Sequence, residues 1–284
     1  MTLVSGAPNV ADYFRDMDAR FLLRIPLLFL LTAWGLALHA QVNLPQARKD
    51  ALDELKTMPE RVAAFESLTE ELQAINTEEV IHIADQLLQE FLHPDQEARV
   101  LARKARAMRT MGQAQEAYDL LSDAIDSWEN LEEEGLCRLY MERGLTAAKV
   151  SSLGQKVEGI LNDLYAALDI AEVRDNMALR IEVHDKLGYA YGRLLKDDQT
   201  AIEYYRFILL NSTSELELAQ ARVNVALLLD ADRSAQNDTA LYYLQEARKV
   251  FEANNRQSKV GIATLNIGRF YREAGKFDEA IEAY

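Results

Sequence analysis

The chain has 284 residues, 46 of them acidic and 31 basic, for a formal net charge of −15 and an isoelectric point near 4.8. Such a balance excludes a nucleic-acid binder, which needs concentrated Lys and Arg against phosphates, and the lone Cys137 excludes both an intramolecular disulfide framework and a multi-cysteine zinc site. The five prolines end at Pro94, and beyond it Ala, Leu, Glu, Gln, Arg and Lys dominate, so the composition predicts an all-α protein.

The first element is an apolar run, Ile25 to Leu38 (IPLLFLLTAWGLAL), behind Arg20 and Arg24 and followed by His39, Ala40 and Gln41. A bilayer span needs about 20 residues at ~1.5 Å each, so this run is short for one. It has the proportions of a secretory signal peptide cleaved between Ala40 and Gln41. An uncleaved membrane anchor is the alternative. Asp12, Asp16 and Asp18 offset Arg15, Arg20 and Arg24, whereas a start at Met17 leaves the tidier leader MDARFLLR. Residues 1–40 carry as many acids as bases, so the mature part holds the whole negative charge. Residues 41–60 read as a helical lead-in.

From residue 61 onward a pattern repeats. A fragment ends in Ala84, Leu88 and Phe91 before Pro94. Ala105 and Met108 lead through Met111-Gly112 to Ala117, Leu121 and Ala124. A weaker copy runs from Gly144 to Ile160, Leu164 and Ala167. Next, Lys186-Leu187-Gly188-Tyr189-Ala190-Tyr191 leads to Ala201-Ile202-Glu203-Tyr204-Tyr205 and Ile208, and Val225-Ala226 with Leu229 leads to Ala240, Leu244 and Ala247. Last comes NIGRFYREAGKFDEAIEAY, residues 266–284. The markers Ala84, Ala117, Ile160, Ala201, Ala240 and Ala280 are 33, 43, 41, 39 and 40 residues apart, which is a solenoid period. Within each unit, apolar residues at i, i+3, i+4 and i+7 on both sides of a short break predict two helices. Small residues are expected where the helices cross. Large ones such as Tyr191, Tyr205, Leu244 and Tyr271 are expected to fill the gap to the next hairpin.

These units resemble tetratricopeptide repeats over about residues 60–284. The resemblance implies a right-handed superhelical solenoid of antiparallel helix pairs, about six hairpins over 61–284, with the last one cut short at Tyr284. A period near 40 is similar to the long-helix variant of bacterial regulatory and sensor proteins, such as the N-terminal regions of GGDEF diguanylate cyclases or histidine kinases. A missing C-terminal continuation is therefore expected.

Catalytic signals are sparse. Gly154 and Gly159 have phosphate-loop spacing, but Ile160 and Leu161 follow where Lys and Ser or Thr are required. Glu79/His82 and Glu90/His93 are Glu-x-x-His steps on what reads as one helix, about 16 Å apart, too far for one metal centre. No metal site, cofactor or catalytic residue is expected. Cys137 reads as a buried small hydrophobe, and Glu132, Glu133 and Glu134 as a solvated face.

The resemblance places ligands on the concave face, lined by the first helix of each hairpin. Counting offsets of −6, −3, +1, +4 and +5 from Ala105, Gly144, Gly188, Ala226 and Gly268 selects Arg99, Arg106, Arg109, Arg138, Lys149, Arg193, Arg269 and Arg272 against Glu182, Asp185, Asp230 and Glu273. Arg103 joins Arg99 and Arg106 at i, i+4, i+7 as one cationic ridge. An acidic or carboxylate-bearing protein or peptide is the expected partner, with the arginines as bidentate donors and Tyr189 as an aromatic platform. The alternative is arginines that merely solvate a helix face. Tyr189 and Arg269 stand where chaperone-type repeats carry a carboxylate-binding Asn. Asn224 and Asn266 instead sit two residues before the crossing residue, where regulatory members bond a peptide backbone. Two functions stay open: the exported, periplasm-facing input region of a bacterial membrane-bound signalling protein, or a periplasmic scaffold or assembly factor with no output domain. Membrane association is expected only through the N-terminal segment or a missing C-terminal span.

Overall fold

The computed structural model describes residues 55, 57–72, 77–90, 92–127, 133–150, 157–230 and 238–284. The signal segment, its cleavage point at Ala40 and the alternative start at Met17 lie outside them. Among the described residues every regular element is helical, and none of the helices is long and apolar enough to cross a membrane. The chain divides into two compact units whose boundary falls after Ala117.

The first unit contains α1 (Met58–Leu72), α2 (Thr77–Leu87), α3 (Pro94–Thr110) and the start of α4 (Ala114–Ser127). α2 buries Val80, Ile83, Ala84 and Leu87 on one stripe, the i, i+3, i+4, i+7 face of an amphipathic helix. They join Val62, Phe65 and Leu68 of α1 and Val100 and Ala107 of α3 in one core. Full burial of each large apolar side chain in such a core contributes about 1.5–3 kcal/mol. The Glu-x-x-His steps are not on one helix: α2 stops at Leu87, Glu90 lies in the turn, and His93 is the N-cap of α3. Pro94 is the cause, because proline is suited to a first helical turn and its ring clashes with a helix running through it. Gln96 completes the cap by accepting from the His93 amide at 3.1 Å.

The second unit takes up the rest of α4, then α5 (Glu133–Ala147), α6 (Val157–Val173), α7 (Met177–Tyr189), a π-helix (Ala190–Leu195) continuing α7, α8 (Asp198–Asn211), α9 (Glu215–Asp230), α10 (Asp238–Ala253), α11 (Gln257–Glu273) and α12 (Phe277–Ala283). Consecutive helices pack as hairpins, α5 with α6, α7 with α8, α9 with α10 and α11 with α12. Three of these second helices bury their marker and the positions four and seven beyond it: Ile160, Leu164 and Ala167; Ala201, Tyr205 and Ile208; Ala240, Leu244 and Ala247.

The crossing residues sit where the repeat places them. A methyl group on Gly144 would lie 2.9 Å from the Ile160 carbonyl oxygen, so the glycine accommodates the one unit whose marker is a branched Ile. A methyl on Gly188 would lie 2.7 Å from the Tyr205 ring, and one on Gly268 2.6 Å from the Tyr284 ring. Where the second helix carries Leu244 instead, Ala226 occupies the first helix of the hairpin, and both belong to one core cluster. At these three crossings the pair is Gly with Tyr or Ala with Leu, whereas Gly144 meets the Ile160 backbone and Leu164. Tyr205 therefore fills its own hairpin as well as reaching Ala221 and Val225 of the next.

The turns share one device. Gly112, Asp175, Asn255 and Gly275 are left-handed, and the next residue's amide reaches back five positions: Gln113 to Met108, Asn176 to Ala171, Arg256 to Phe251 and Lys276 to Tyr271, at 2.8–3.1 Å. This bond satisfies a carbonyl that the helix end would leave orphaned. In the π-helical turn Lys196 is left-handed, and the Asp197 amide reaches back six positions, to Tyr191, at 3.0 Å. One extra residue has been absorbed there. Asp197 then caps α8, accepting from the Thr200 amide at 3.1 Å and its hydroxyl at 2.7 Å.

Candidate functional site: the first-helix strip

In the second unit the first helices are joined by a polar ladder. Arg138 of α5 donates to Glu182 of α7 at 2.7 Å. Asp185 of α7 accepts from Lys186 at 3.0 Å and, through a long 3.5 Å contact, from the Asn224 amide of α9, which itself accepts from Gln220 at 3.3 Å. One turn beyond Asp185, Tyr189 is 41% exposed, and Arg193 is exposed beyond it. Burial pushes the Tyr205 phenol up, and the Asp185 carboxylate adds to this. Tyr205 therefore stays protonated beneath the strip.

Arg138, Tyr189, Arg193 and Asn224 therefore lie on adjoining first helices of this unit. Asn266, Arg269 and Arg272 of α11 are engaged within their own helix: the Asn266 amide donates to the Ile262 carbonyl at 2.8 Å, and both arginines approach Glu273 at 3.9 Å. In the first unit Arg99 makes a two-point ion pair with Glu66 of α1. Arg103, Arg106 and Arg109 of α3 are half-buried, and Arg103 and Arg106 have no ion pair among the described residues. The −3 offset does not face a groove at Ala102, Met141 or Val223, which are buried. Buried Cys137 donates its thiol to the Ala167 carbonyl at 3.3 Å, and burial pushes that thiol up to about 12. It is a packed side chain in an uncharged state.

Glu66 escaped the offset count, yet a signal for it exists. The paired polar residues stand about one repeat apart on successive first helices: Glu66 and Arg99 by 33 positions, Arg138 and Glu182 by 44, Asp185 and Asn224 by 39, Glu134 and Asn176 by 42. Carboxylates spaced about one repeat from an Arg or Asn are the signal that marks such pairs. Two of the expected cationic positions are thus neutralised, Arg99 within the first unit and Arg138 within the strip of the second.

No family model matches this sequence, and no curated protein matches it. Among solved structures the chain is similar to RapI in its apo form (TM-score 0.53, 15% identity, 94% of this chain and 95% of that one). It is also similar to BtubC (BKLC) from P. vanneervenii (TM-score 0.53, 16% identity, 76% of this chain and 87% of that one). A third similar structure is aspartyl phosphate phosphatase F from Bacillus subtilis (TM-score 0.52, 14% identity, 85% of this chain and 62% of that one). At these identities the likeness is one of fold, an all-helical, tetratricopeptide-like repeat.

Proposed function

We propose that the chain is a protein- or peptide-binding module that receives its partner on the first-helix strip. The observation that carries this reading is the ladder itself. Partly exposed Arg, Glu, Asp, Asn and Gln side chains of three successive first helices are held in fixed positions beside an exposed aromatic ring, an arrangement suited to hydrogen-bonding an extended chain while stacking one of its side chains. Within the second unit, exposed Arg193 favours acidic or carboxylate-bearing partners. The test is to select a random-peptide library on the full chain and measure the recovered peptides against variants. Tyr189→Ala is expected to weaken them at least tenfold, and Lys249→Gln on α10 to leave them unchanged. Binding indifferent to Tyr189→Ala would overturn the strip as the site.

In the cell, the basic flank, the apolar run 25–38 and Ala40 support export, and the long repeat period supports the input region of a bacterial membrane-bound signalling protein facing the periplasm. N-terminal sequencing of the exported chain is expected to start at Gln41, and a chain retaining Ile25 would contradict cleavage.

A further inference from the structure

Away from the ladder, three phenols from three helices meet. Tyr165 of α6 lies 2.7 Å, oxygen to oxygen, from Tyr191 of the π-helix and 3.2 Å from Tyr204 of α8. The Tyr191 and Tyr204 rings stack at 5.5 Å. Behind them the His184 ring meets Tyr204 edge-on at 5.6 Å and stacks on Phe207 at 3.7 Å, with the Arg180 guanidinium on the far side of the system, over Phe207. Tyr165 is 37% exposed.

The backbone is specialised to build this cluster. π-helices are rare and concentrate at functional sites. Here the wide turn adds one residue and re-aims the side chains from Ala190 onward, bringing Tyr191 against both the Tyr165 hydroxyl and the Tyr204 ring. It also ends on Lys196 in a left-handed conformation that L side chains adopt at a cost of about 1 kcal/mol or more.

Counting protons shows what the cluster can still do. Three hydroxyls bring three protons, and two oxygen–oxygen contacts use two of them, so one O–H is left over to donate outward. The cluster itself carries no formal charge. Burial raises all three phenols, and the hydrogen bonds between them add to the rise at Tyr191 and partly offset each other at Tyr165. Burial pushes His184 towards its neutral form, and the Asp197 carboxylate is engaged by Thr200. The three phenols therefore offer aromatic rings and a spare donor and bring no charge of their own.

We propose that Tyr165, Tyr191 and Tyr204 form a docking notch for a proline-containing, extended segment of a protein partner. A polyproline II segment has no internal hydrogen bonds, so its carbonyls are free acceptors, and proline brings no N–H that would need an acceptor in return. Its rings stack on aromatic faces, the mode by which aromatic-lined grooves take such segments. The uncharged cluster matches an uncharged ligand. This site is separate from the first-helix strip and stands or falls without it.

The probe is decaproline, titrated into the full chain and followed by amide and aromatic chemical shifts. Saturable binding is expected, weakened about tenfold by Tyr165→Phe or Tyr204→Phe, each of which removes a hydroxyl and keeps the ring, and unchanged by Tyr189→Ala. Two Phe variants guard against one of them failing to fold, and circular dichroism of each should match the parent. Absence of saturable decaproline binding, binding indifferent to loss of either hydroxyl, or saturable binding of maltohexaose in its place would each overturn the proposal, the last by showing a carbohydrate site.

Discussion

Asp163→Ala is expected to destabilise the α5–α6 hairpin by about 3 kcal/mol. Asp163 receives both nitrogens of the Arg143 fork at 2.8 and 2.7 Å, and the two side chains are only 12% and 17% exposed. The hydrogen bond to Asp163 is the main influence holding the Arg143 guanidinium in its charged form. Arginine cannot shed its proton in a protein, so removing the carboxylate strands a charge that is mostly out of water, with the Tyr140 ring, 5.4 Å away, as a poor substitute. Repeat arrays can open locally, so the measurement is hydrogen exchange of the α5 and α6 amides. Protection is expected to fall about a hundredfold, and a change of less than twofold would show the pair to be of no consequence.

The second large effect concerns the crossing glycines, and their surroundings divide them. At Gly144 an added methyl meets backbone, the Ile160 carbonyl oxygen at 2.9 Å, so the two helices must separate. Gly144→Val is expected to cost about 3 kcal/mol, through overpacking that no side-chain change opposite can relieve. At Gly188 the obstacle is the Tyr205 ring, which a smaller side chain would remove. Gly188→Ala alone is expected to cost about 1–2 kcal/mol: the clash outweighs the ~1 kcal/mol that alanine gains over glycine in a helix.

Much of this organisation was legible in the sequence because helix crossing is a steric requirement that only small residues meet. Gly188 and Gly268 were recognisable from their spacing to the next marker and Gly144 only as a weaker copy, and each lies against the second helix of its hairpin. The π-helix has no signature in its residues, but it leaves a trace in the spacing. Gly188 to Ala201 is thirteen positions, against twelve from Ala105 to Ala117 and from Gly268 to Ala280. The extra residue is the one the wide turn absorbs.

The candidate site was less legible. Offsets from a crossing residue identify a helix face but not what the neighbouring helix presents to it. Arg99 and Arg138 were picked by offset as free cations, yet they pair with Glu66 and Glu182. Met141 and Val223 show the same limit from the other direction: a position that faces the groove on an isolated hairpin is covered once hairpins stack. The Tyr165, Tyr191 and Tyr204 cluster depends on the π turn and on two second helices at once, so no single-helix periodicity could have revealed it.

The central claim is that the α7–α8 hairpin closes by matching side-chain volumes at its crossing, and it is tested by exchanging its pair for another found in the same chain. Gly188→Ala, Tyr205→Leu and the double variant convert the α7–α8 crossing to the Ala226 and Leu244 combination of α9–α10. The unfolding free energies of the four proteins in urea form a double-mutant cycle. The double variant is expected to be more stable than the sum of the two single losses predicts by at least about 1 kcal/mol, and strictly additive losses would contradict the account.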